Sequence, residues 1–499
     1  MPRPHLLLAL TLLLACLPAP AQSPAPTTTI PALFLSDIHL DPYADPAKVA
    51  KLNSAQISEW PAILAAPAPP TQPQDYAALQ QACPVRGADT SNTLWQSSLR
   101  AIHAEAARAR FVTVSGDLLA HQFDCKFKTL LPAATHADLL AFAEKTAAYV
   151  ISSLRSTLPG VPVYIALGNN DSACGDYHLD PSHDDFLARM APIVADAAGL
   201  SDPARAAALQ DFAASGSYAA PLAAVANTRI LVLDDIFLSN KYATCTGTPD
   251  PAPAAAQLDW LRSQLTAARQ SHQAVWVVGH IPPGVDLYST AKKLTPLCFG
   301  DPQMFLSSER LAEFLSSYSD VIRLALFGHT HSDEMRLLPA ASPDPRNNAI
   351  AGTRPQPAAT TTHPPVSGVP LKLVSSITAV NGNRPTFTLA RIDPASATLT
   401  DYTVFIASNL TGVAATWSPE YTYSTTYRRP AFDPNSLSTL ISAFQADPSA
   451  ASPASQAYLR NYFPGDASSL LRLVWPQYAC SLDHDSAQSF IACACPAGN

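Results

Sequence analysis

The 499-residue chain is 47% hydrophobic, with 14% charged residues and a formal net charge of −8, enough apolar material for a large core and more than one structural unit. An acidic chain of this kind lacks the basic face that a phosphate backbone requires, which excludes a stable nucleic-acid partner. Forty-seven prolines against 18 glycines point to long, stiff loops between regular elements rather than to a collagen-like or disordered chain.

In chain order, Arg3, the apolar run from Leu6 to Leu17 and Ala19-Pro20-Ala21 read as an export signal over residues 1–21, so the mature protein is expected to be secreted or otherwise extracytoplasmic. The run is too short to span a bilayer, and no later segment is long and apolar enough for a transmembrane helix. Leu13-Leu14-Ala15-Cys16 has the form of a lipoprotein box, a minor alternative that would anchor the chain at Cys16. Residues 22–31 form a Pro/Thr/Ala-rich mobile leader.

Beyond it, apolar runs alternate with helical patterns. Leu33–Leu35, Phe111–Val114, Val163–Leu167, Ile230–Leu233, Val275–Val278 and Leu324–Phe327 read as buried strands. Leu94–Arg108, His136–Leu154, Ala254–Ala268 and Ser308–Leu315 read as helices. The alternation predicts an α/β sheet with helices on its faces. A proline-rich stretch from Ala341 to Val366 predicts a long surface loop. Thr386–Leu389 and Tyr402–Phe405 read as strands completing a second sheet.

Residues 32–417 are assigned to one main domain. Residues 418–499 are assigned to a helical, cysteine-containing extension with helices at Ser436–Phe444, Ala454–Tyr462 and Ala467–Leu473, read as packing support. Signal removal leaves eight cysteines: Cys83, Cys125, Cys174, Cys245, Cys298, Cys480, Cys493 and Cys495. An even count in an exported chain predicts disulfides, with 105 pairings open. The spacing of Cys493-Ala494-Cys495 does not suit a zinc finger.

Five short blocks end strand-like runs with metal-binding side chains: Asp37-Ile38-His39, Gly116-Asp117, Gly168-Asn169-Asn170-Asp171, Gly279-His280 and Gly328-His329-Thr330-His331. A metal pair needs convergent donors, at least one able to bridge, and open positions for water and substrate. Such groups collect where strands end. Asp37 and His39 project to one side, Asp117 is the bridging candidate, and Asn169 would ligate through its amide oxygen. His280, His329 and His331 supply imidazoles. The four glycines are expected to let the backbone turn tightly before each ligand. Any one block alone is an ordinary turn. His103, His136, His178, His183, His272, His363 and His484 belong to none of them, although His178 and His183 lie close enough in sequence to line the cleft.

All five blocks, in this order, resemble the calcineurin-like metallophosphoesterases. Asp37-Ile38-His39-Leu40-Asp41-Pro42-Tyr43, Gly279-His280-Ile281-Pro282-Pro283-Gly284 and Gly328-His329-Thr330-His331-Ser332-Asp333-Glu334 narrow the likeness to the acid sphingomyelinase-like phosphodiesterases. Ser375-Ser376-Ile377-Thr378, Asn383-Arg384-Pro385 and Asp401-Tyr402 extend it, from about Phe34 to Phe405. The resemblance implies a four-layer αββα sandwich and two divalent metal ions, zinc first, with iron or manganese as alternatives. One ion would take Asp37, His39, Asp117 and His331, and the other Asp117, Asn169, His280 and His329.

One position departs from the pattern: Asn170 stands where members of the family usually carry a catalytic His. A neutral amide cannot supply a proton as an imidazolium can. His121, in Gly116-Asp117-Leu118-Leu119-Ala120-His121, matches a second active-site His of the sphingomyelinase branch and is expected to donate a proton or orient phosphate. Asp171 is expected to orient neighbouring groups rather than bind metal.

The implied function is a secreted, two-metal phosphoester hydrolase, a phosphodiesterase acting on phospholipid headgroups or nucleotides through a metal-bridging hydroxide. The Asn169-Asn170-Asp171 form also resembles the endopolyphosphatases, so an endopolyphosphatase or phosphomonoesterase is the alternative. Lys126, Lys241, Lys292, Lys293, Arg336 and Arg384 would then have to form a basic groove, against their reading as scattered solvated charges. A catalytically impaired, metal-containing binding protein is the third reading. The sequence sets no oligomeric state.

Overall fold

A computed structural model of the chain describes residues 29–293, 298, 300–341, 367–465 and 469–495. The export signal, the Cys16 alternative, the leader up to residue 28 and the proline-rich stretch 342–366 lie outside the described residues.

Twelve described strands form two six-stranded sheets: β1 (Ile30–Leu35), β2 (Val112–Ser115), β3 (Val163–Ala166), β4 (Tyr218–Pro221), β5 (Thr228–Val232), β6 (Ala274–Val278), β7 (Ile322–Phe327), β8 (Glu334–Pro339), β9 (Gly368–Leu373), β10 (Thr386–Asp393), β11 (Thr398–Ala407) and β12 (Trp417–Thr422). The first sheet has the order β12-β11-β10-β1-β2-β3 and the second β4-β5-β6-β7-β9-β8. In the first, the parallel run β1-β2-β3 continues on one side into antiparallel β10, β11 and β12; in the second, the parallel run β5-β6-β7-β9 is flanked by antiparallel β4 and β8.

The parallel centres explain which strands are visible in the sequence. A strand covered on both faces needs a continuous apolar run, and β2 and β3 are buried at every position. Strands β4, β8, β9 and β12 escape that criterion because each carries proline, β9 although it is parallel and buried throughout, and β8 also carries Glu334 and Arg336. Those two charges are tolerated inside because they pair with each other at 3.0 Å.

The strands expected to complete the second sheet do not. β10 pairs antiparallel with β1 (Leu33 opposite Leu389), and β11 and β12 extend from it. The returning chain thereby covers the edge of β1 that β2 leaves open, removing an unpaired row of backbone groups. β12 also crosses the expected boundary between residues 417 and 418.

Helices cover the outer faces. Asn92–Ala106 packs on β1 and β10, Ala252–Gln270 on β5 and β6, and Pro434–Gln445 on β8 and β9. The result is a four-layer αββα sandwich. Asn92–Ala106 begins two residues before its first apolar position because Ser91 accepts the Leu94 amide as a cap. Trp276 of β6 fills the space between the sheets, edge-on to Phe34 at 6.0 Å and Phe111 at 5.6 Å, and its indole N–H donates to Ala397 O at 2.8 Å.

Four disulfides pair the eight cysteines: Cys83–Cys125, Cys174–Cys245, Cys298–Cys495 and Cys480–Cys493. Such pairing belongs to an oxidising, extracytoplasmic compartment. Among the described residues, no helix is long and apolar enough to cross a membrane.

Trp276→Ala empties the inter-sheet space and orphans a buried carbonyl, so urea unfolding should show a loss of about 3–5 kcal/mol. Trp276→Phe should lose clearly less, because it keeps the aromatic contacts and forfeits the hydrogen bond.

Candidate metal centre

The parallel strands of both sheets end on the same side of the sandwich, and their carboxyl ends carry the five blocks. Asp37 and His39 follow β1, Asp117 follows β2, Asn169 follows β3, His280 follows β6, and His329 and His331 follow β7. Five of these seven residues adopt left-handed backbone, with φ of 47° at Asp37, 45° at His39, 54° at Asp117, 70° at His329 and 60° at His331. For non-glycine residues this costs on the order of 1–2 kcal/mol each. Such strain persists only where the surroundings impose it. Here backbone bonds lock it: Asp37 N donates to Gly116 O at 3.0 Å and His39 N to Asp117 O at 2.8 Å.

Of the four preceding glycines only Gly116 has positive φ, at 86°. Gly168, Gly279 and Gly328 are required by close approach instead of by a turn. A Cβ on Gly328, for example, would overlap Ser36 Oγ and Asp37 Oδ2.

The side chains fall into two half-sites that share Asp117. In the first, Asp37 Oδ1 lies 3.4 Å from His331 Nε2 and 3.8 Å from His39 Nε2, which is itself 3.3 Å from Asp117 Oδ2. In the second, His280 Nε2 lies 3.3 Å from Asp117 Oδ2 and 3.0 Å from Asn169 Oδ1. His329 Nδ1 lies 2.9 Å from Asn169 Oδ1 and 3.3 Å from His280 Nε2.

The outward atoms are held in turn. His39 Nδ1 bonds Leu119 O at 2.9 Å and His280 Nδ1 bonds Ser115 O at 2.7 Å, so both rings present Nε2 to the centre. His331 Nδ1 meets Asn381 Nδ2 at 3.2 Å. Asn169 donates its amide nitrogen to Asp176 Oδ1 at 2.6 Å, which turns its carbonyl oxygen inward. Asp235 accepts the backbone amides of His280 and Ile281 at 2.9 Å each.

This donor set fits divalent cations. His39 Nε2 is buried with no hydrogen-bond partner, and two imidazole nitrogens approach to 3.3 Å around oxygen donors. The electrostatics point the same way. Burial favours a neutral Asp37, but His331 and His39 hold its carboxyl down to about 2. Burial also opposes ionised Asp117, and His280 and His39 overrule it, keeping the carboxylate well below its ordinary range. Burial would lower His39 and His280, yet Asp117 raises both, His280 to about 10. His329 and His331 are pushed down by burial, to about 3 and about 4. Without cations, protons on His39 and His280 balance the buried carboxylates.

His121 lies beside the first half-site, stacked on His39 with centroids 4.0 Å apart. Its Nδ1 meets Asp89 Oδ1 at 2.8 Å and its backbone N–H donates to Asp89 Oδ2 at 2.9 Å, which leaves Nε2 for the cleft. Asn170 donates both its backbone N–H and its side-chain N–H to Asp117, at 2.8 and 2.9 Å. Asp171 accepts the amides of Leu118, Leu119 and Gly168, tying the β2 and β3 loops together.

Several expectations fall away. His183 points outward, its side chain 82% exposed, and pairs with Asp180 at 3.0 Å. His178 turns to Asp176 O, and neither His lines the cavity beside the centre. Two members of the supposed basic groove are committed elsewhere. Lys126 is buried against Asp41 at 3.0 Å and Asp89 at 3.5 Å, and Arg336 against Glu334. Sequence reasoning also missed Asp89, Asp176, Tyr177, Asp235 and Asn381. Asp235 opens the short helix Asp235–Leu238, and the others sit in irregular loops with no periodic pattern to mark them.

A cavity of about 560 Å³ opens beside Thr330, Ser332 and Asn381, walled by Tyr288, Phe305, Tyr462, Phe463 and Tyr478, with Arg86 among its polar lining. Three of those aromatic residues come from the C-terminal helical region, so that region borders the site and does more than support the fold.

Comparison with known proteins agrees with this geometry. The chain is similar to sphingomyelinase phosphodiesterase D of Dictyostelium discoideum, 31% identical over 41% of this chain and 40% of that protein. It is 25% identical to a human cyclic GMP-AMP phosphodiesterase over 62% of each chain. It is also 25% identical to human acid sphingomyelinase-like phosphodiesterase 3b, over 90% of this chain and 85% of that one. The match spans less than two thirds of the first two relatives. The calcineurin-like phosphoesterase model matches residues 30–333, a stretch that contains all seven converging side chains. Over most of its length, then, the chain belongs to the calcineurin-like phosphoesterase family, whose members work with two metal ions.

Proposed function

We propose that the chain is an exported phosphodiester hydrolase. Two divalent cations, zinc in the first instance because four of the seven donors are imidazoles, would be held by Asp37, His39, Asp117 and His331 and by Asp117, Asn169, His280 and His329. The observation that carries this reading is Asp117 Oδ2, one buried oxygen 3.3 Å from His39 Nε2 and 3.3 Å from His280 Nε2. The bound cations supply positive charge that neutralises phosphoryl oxygens and acidifies water.

The remaining work falls to residues of the chain. His121 carries the transferable proton on Nε2 and gives it to the leaving oxygen, while Asp89 fixes the ring. Asn170 is a positioning residue that holds the Asp117 carboxylate in plane through two donated bonds. Asp176 keeps the Asn169 oxygen turned inward.

A diester is favoured because the aromatic cavity beside the centre gives the second ester arm a place to bind. The three relatives named above, each a phosphodiesterase by name, support the same class, with phospholipid headgroups and nucleotides as candidate substrates. The polyphosphate reading loses two of the six cations of its basic groove, since Lys126 and Arg336 are neutralised internally.

Purified enzyme should contain two metals per chain by elemental analysis. It should hydrolyse bis-p-nitrophenyl phosphate and a phosphocholine or nucleotide diester, and lose turnover on chelation; both metals present with no turnover on any substrate would leave only a binding role. His121→Ala should slow esters with alkoxide leaving groups by roughly 10²–10⁴-fold and p-nitrophenyl esters far less, because nitrophenolate departs without a proton. Equal losses on both would remove His121 as the acid. At pH 7 metal loading should release about two protons per chain, because in the metal-free protein Asp117 raises His39 well above its ordinary range and His280 to about 10. The apparent metal affinity should therefore fall as pH drops, and calorimetry in buffers of different ionisation enthalpy reads the release directly.

A further inference from the structure

Asp176 and Tyr177 are neighbours in the loop after β3, and each reaches back to one member of the second half-site. Asp176 takes the Asn169 amide. The Tyr177 hydroxyl lies 3.3 Å from His329 Nε2. The loop is fixed from both sides: Tyr177 N donates to Asn169 O at 2.8 Å, Ala243 N donates to Tyr177 O at 3.1 Å, and Cys174–Cys245 staples it to the facing loop. From that facing loop Lys241 donates Nζ to the Tyr177 hydroxyl at 3.3 Å and sits 4.6 Å above its ring. Among the described residues, the hydroxyl meets no other polar group than these two.

The protons at this oxygen can be counted. An ammonium group only donates. His329 turns Nδ1 inward, toward Asn169 Oδ1 and His280 Nε2, and Nε2 outward to Tyr177. A cation held at the centre would take the Nδ1 lone pair and leave the ring proton on Nε2. His329 then also donates to Tyr177. A phenol oxygen accepting two bonds keeps its own O–H for a third partner, and accepting from charged or polarised donors strengthens that O–H as a donor.

We propose that Tyr177 is a catalytic hydrogen-bond donor to a non-bridging phosphoryl oxygen of the substrate, polarised by Lys241 and acting on the flank of the centre opposite His121. His121 stacks on His39 of the first half-site, whereas Tyr177 abuts His329 of the second. The proposal rests on the two-cation reading above and adds a group that reading does not use.

The test is Tyr177→Phe in the metal-loaded enzyme, with inorganic phosphate as a competitive inhibitor. Two metals per chain should remain. The phosphate inhibition constant should rise about tenfold to hundredfold, the range for a hydrogen bond to a charged group. kcat/KM should fall by a similar factor on alkyl and p-nitrophenyl esters alike, because a non-bridging oxygen is present in both. Lys241→Met, at an exposed side chain, should give a smaller loss of the same kind. Metal loss in Tyr177→Phe that is reversed by added metal would reduce Tyr177 to a prop for His329 and overturn the proposal. Unchanged phosphate inhibition, or a loss confined to alkyl esters, would overturn it as well. Absence of both metals from the wild-type chain would defeat the two-cation reading itself, and the proposal with it.

Discussion

One buried carboxylate, Asp117, joins what the two sheets bring separately. The first sheet contributes Asp37, His39, Asp117 and Asn169, and so all the oxygen donors. The second contributes His280, His329 and His331, and so only imidazoles. Neither sheet alone assembles a half-site: the first needs His331 against Asp37, and the second needs Asn169 and Asp117 against His280. The packing of one sheet on the other, set by large side chains such as Trp276 between them, therefore also sets the donor distances. Core packing and site geometry are one constraint, and a shift of one sheet over the other would separate oxygens from nitrogens.

That arrangement places like-polarity groups in a dry interior, where they are costly unless compensated. The chain compensates at every level. Backbone amides of Leu118, Leu119 and Gly168 converge on Asp171, those of His280 and Ile281 on Asp235, and both amides of Asn170 on Asp117. Lys126 is buried between Asp41 and Asp89, so the carboxylate that orients His121 is itself balanced by a fixed cation. Burial pushes against ionised Asp89, and His121 and Lys126 together hold it well below the ordinary carboxylate range.

The legible part of the structure follows from which signals are local. The parallel strands β1, β2, β3, β5, β6 and β7 announce themselves as apolar runs because both of their faces are covered. The side chains at their carboxyl ends are legible for the same reason, as each polar block interrupts such a run. Sheet membership is a different kind of fact. Nothing within Thr386–Asp393 says that it pairs with β1, because that pairing is decided by the open edge of a strand more than 350 residues earlier. Asp89, Asp176 and Tyr177 were invisible for a related reason. Asp89 meets His121 and Lys126, Tyr177 meets Lys241 and His329, and Asp176 turns back to Asn169; such contacts form only in the folded chain, and a polar residue in a loop carries no period. Asn170 was visible as a departure from the family pattern, but its work, two bonds to Asp117, belongs to the folded chain alone.

The C-terminal region shows how packing support and site construction can be the same event. β8 forms the edge of the second sheet immediately after His331, and an open edge there would expose unpaired backbone beside the centre. The chain closes it with helical elements: Asp333 N donates to Tyr462 O, Leu337 N to Leu482 O, and the Tyr478 hydroxyl to Glu334, which also pairs with Arg336. Covering an edge so close to His331 brings Tyr462, Phe463 and Tyr478 against the cleft, where they become a wall of the 560 Å³ cavity. Cys298–Cys495 then ties the end of this region to the chain beyond the helix Leu287–Lys293, whose Tyr288 lines the same cavity. The residues that finish the sheet thus also shape what can reach the metal centre, so variation in this tail would change substrate choice while leaving the seven converging side chains untouched.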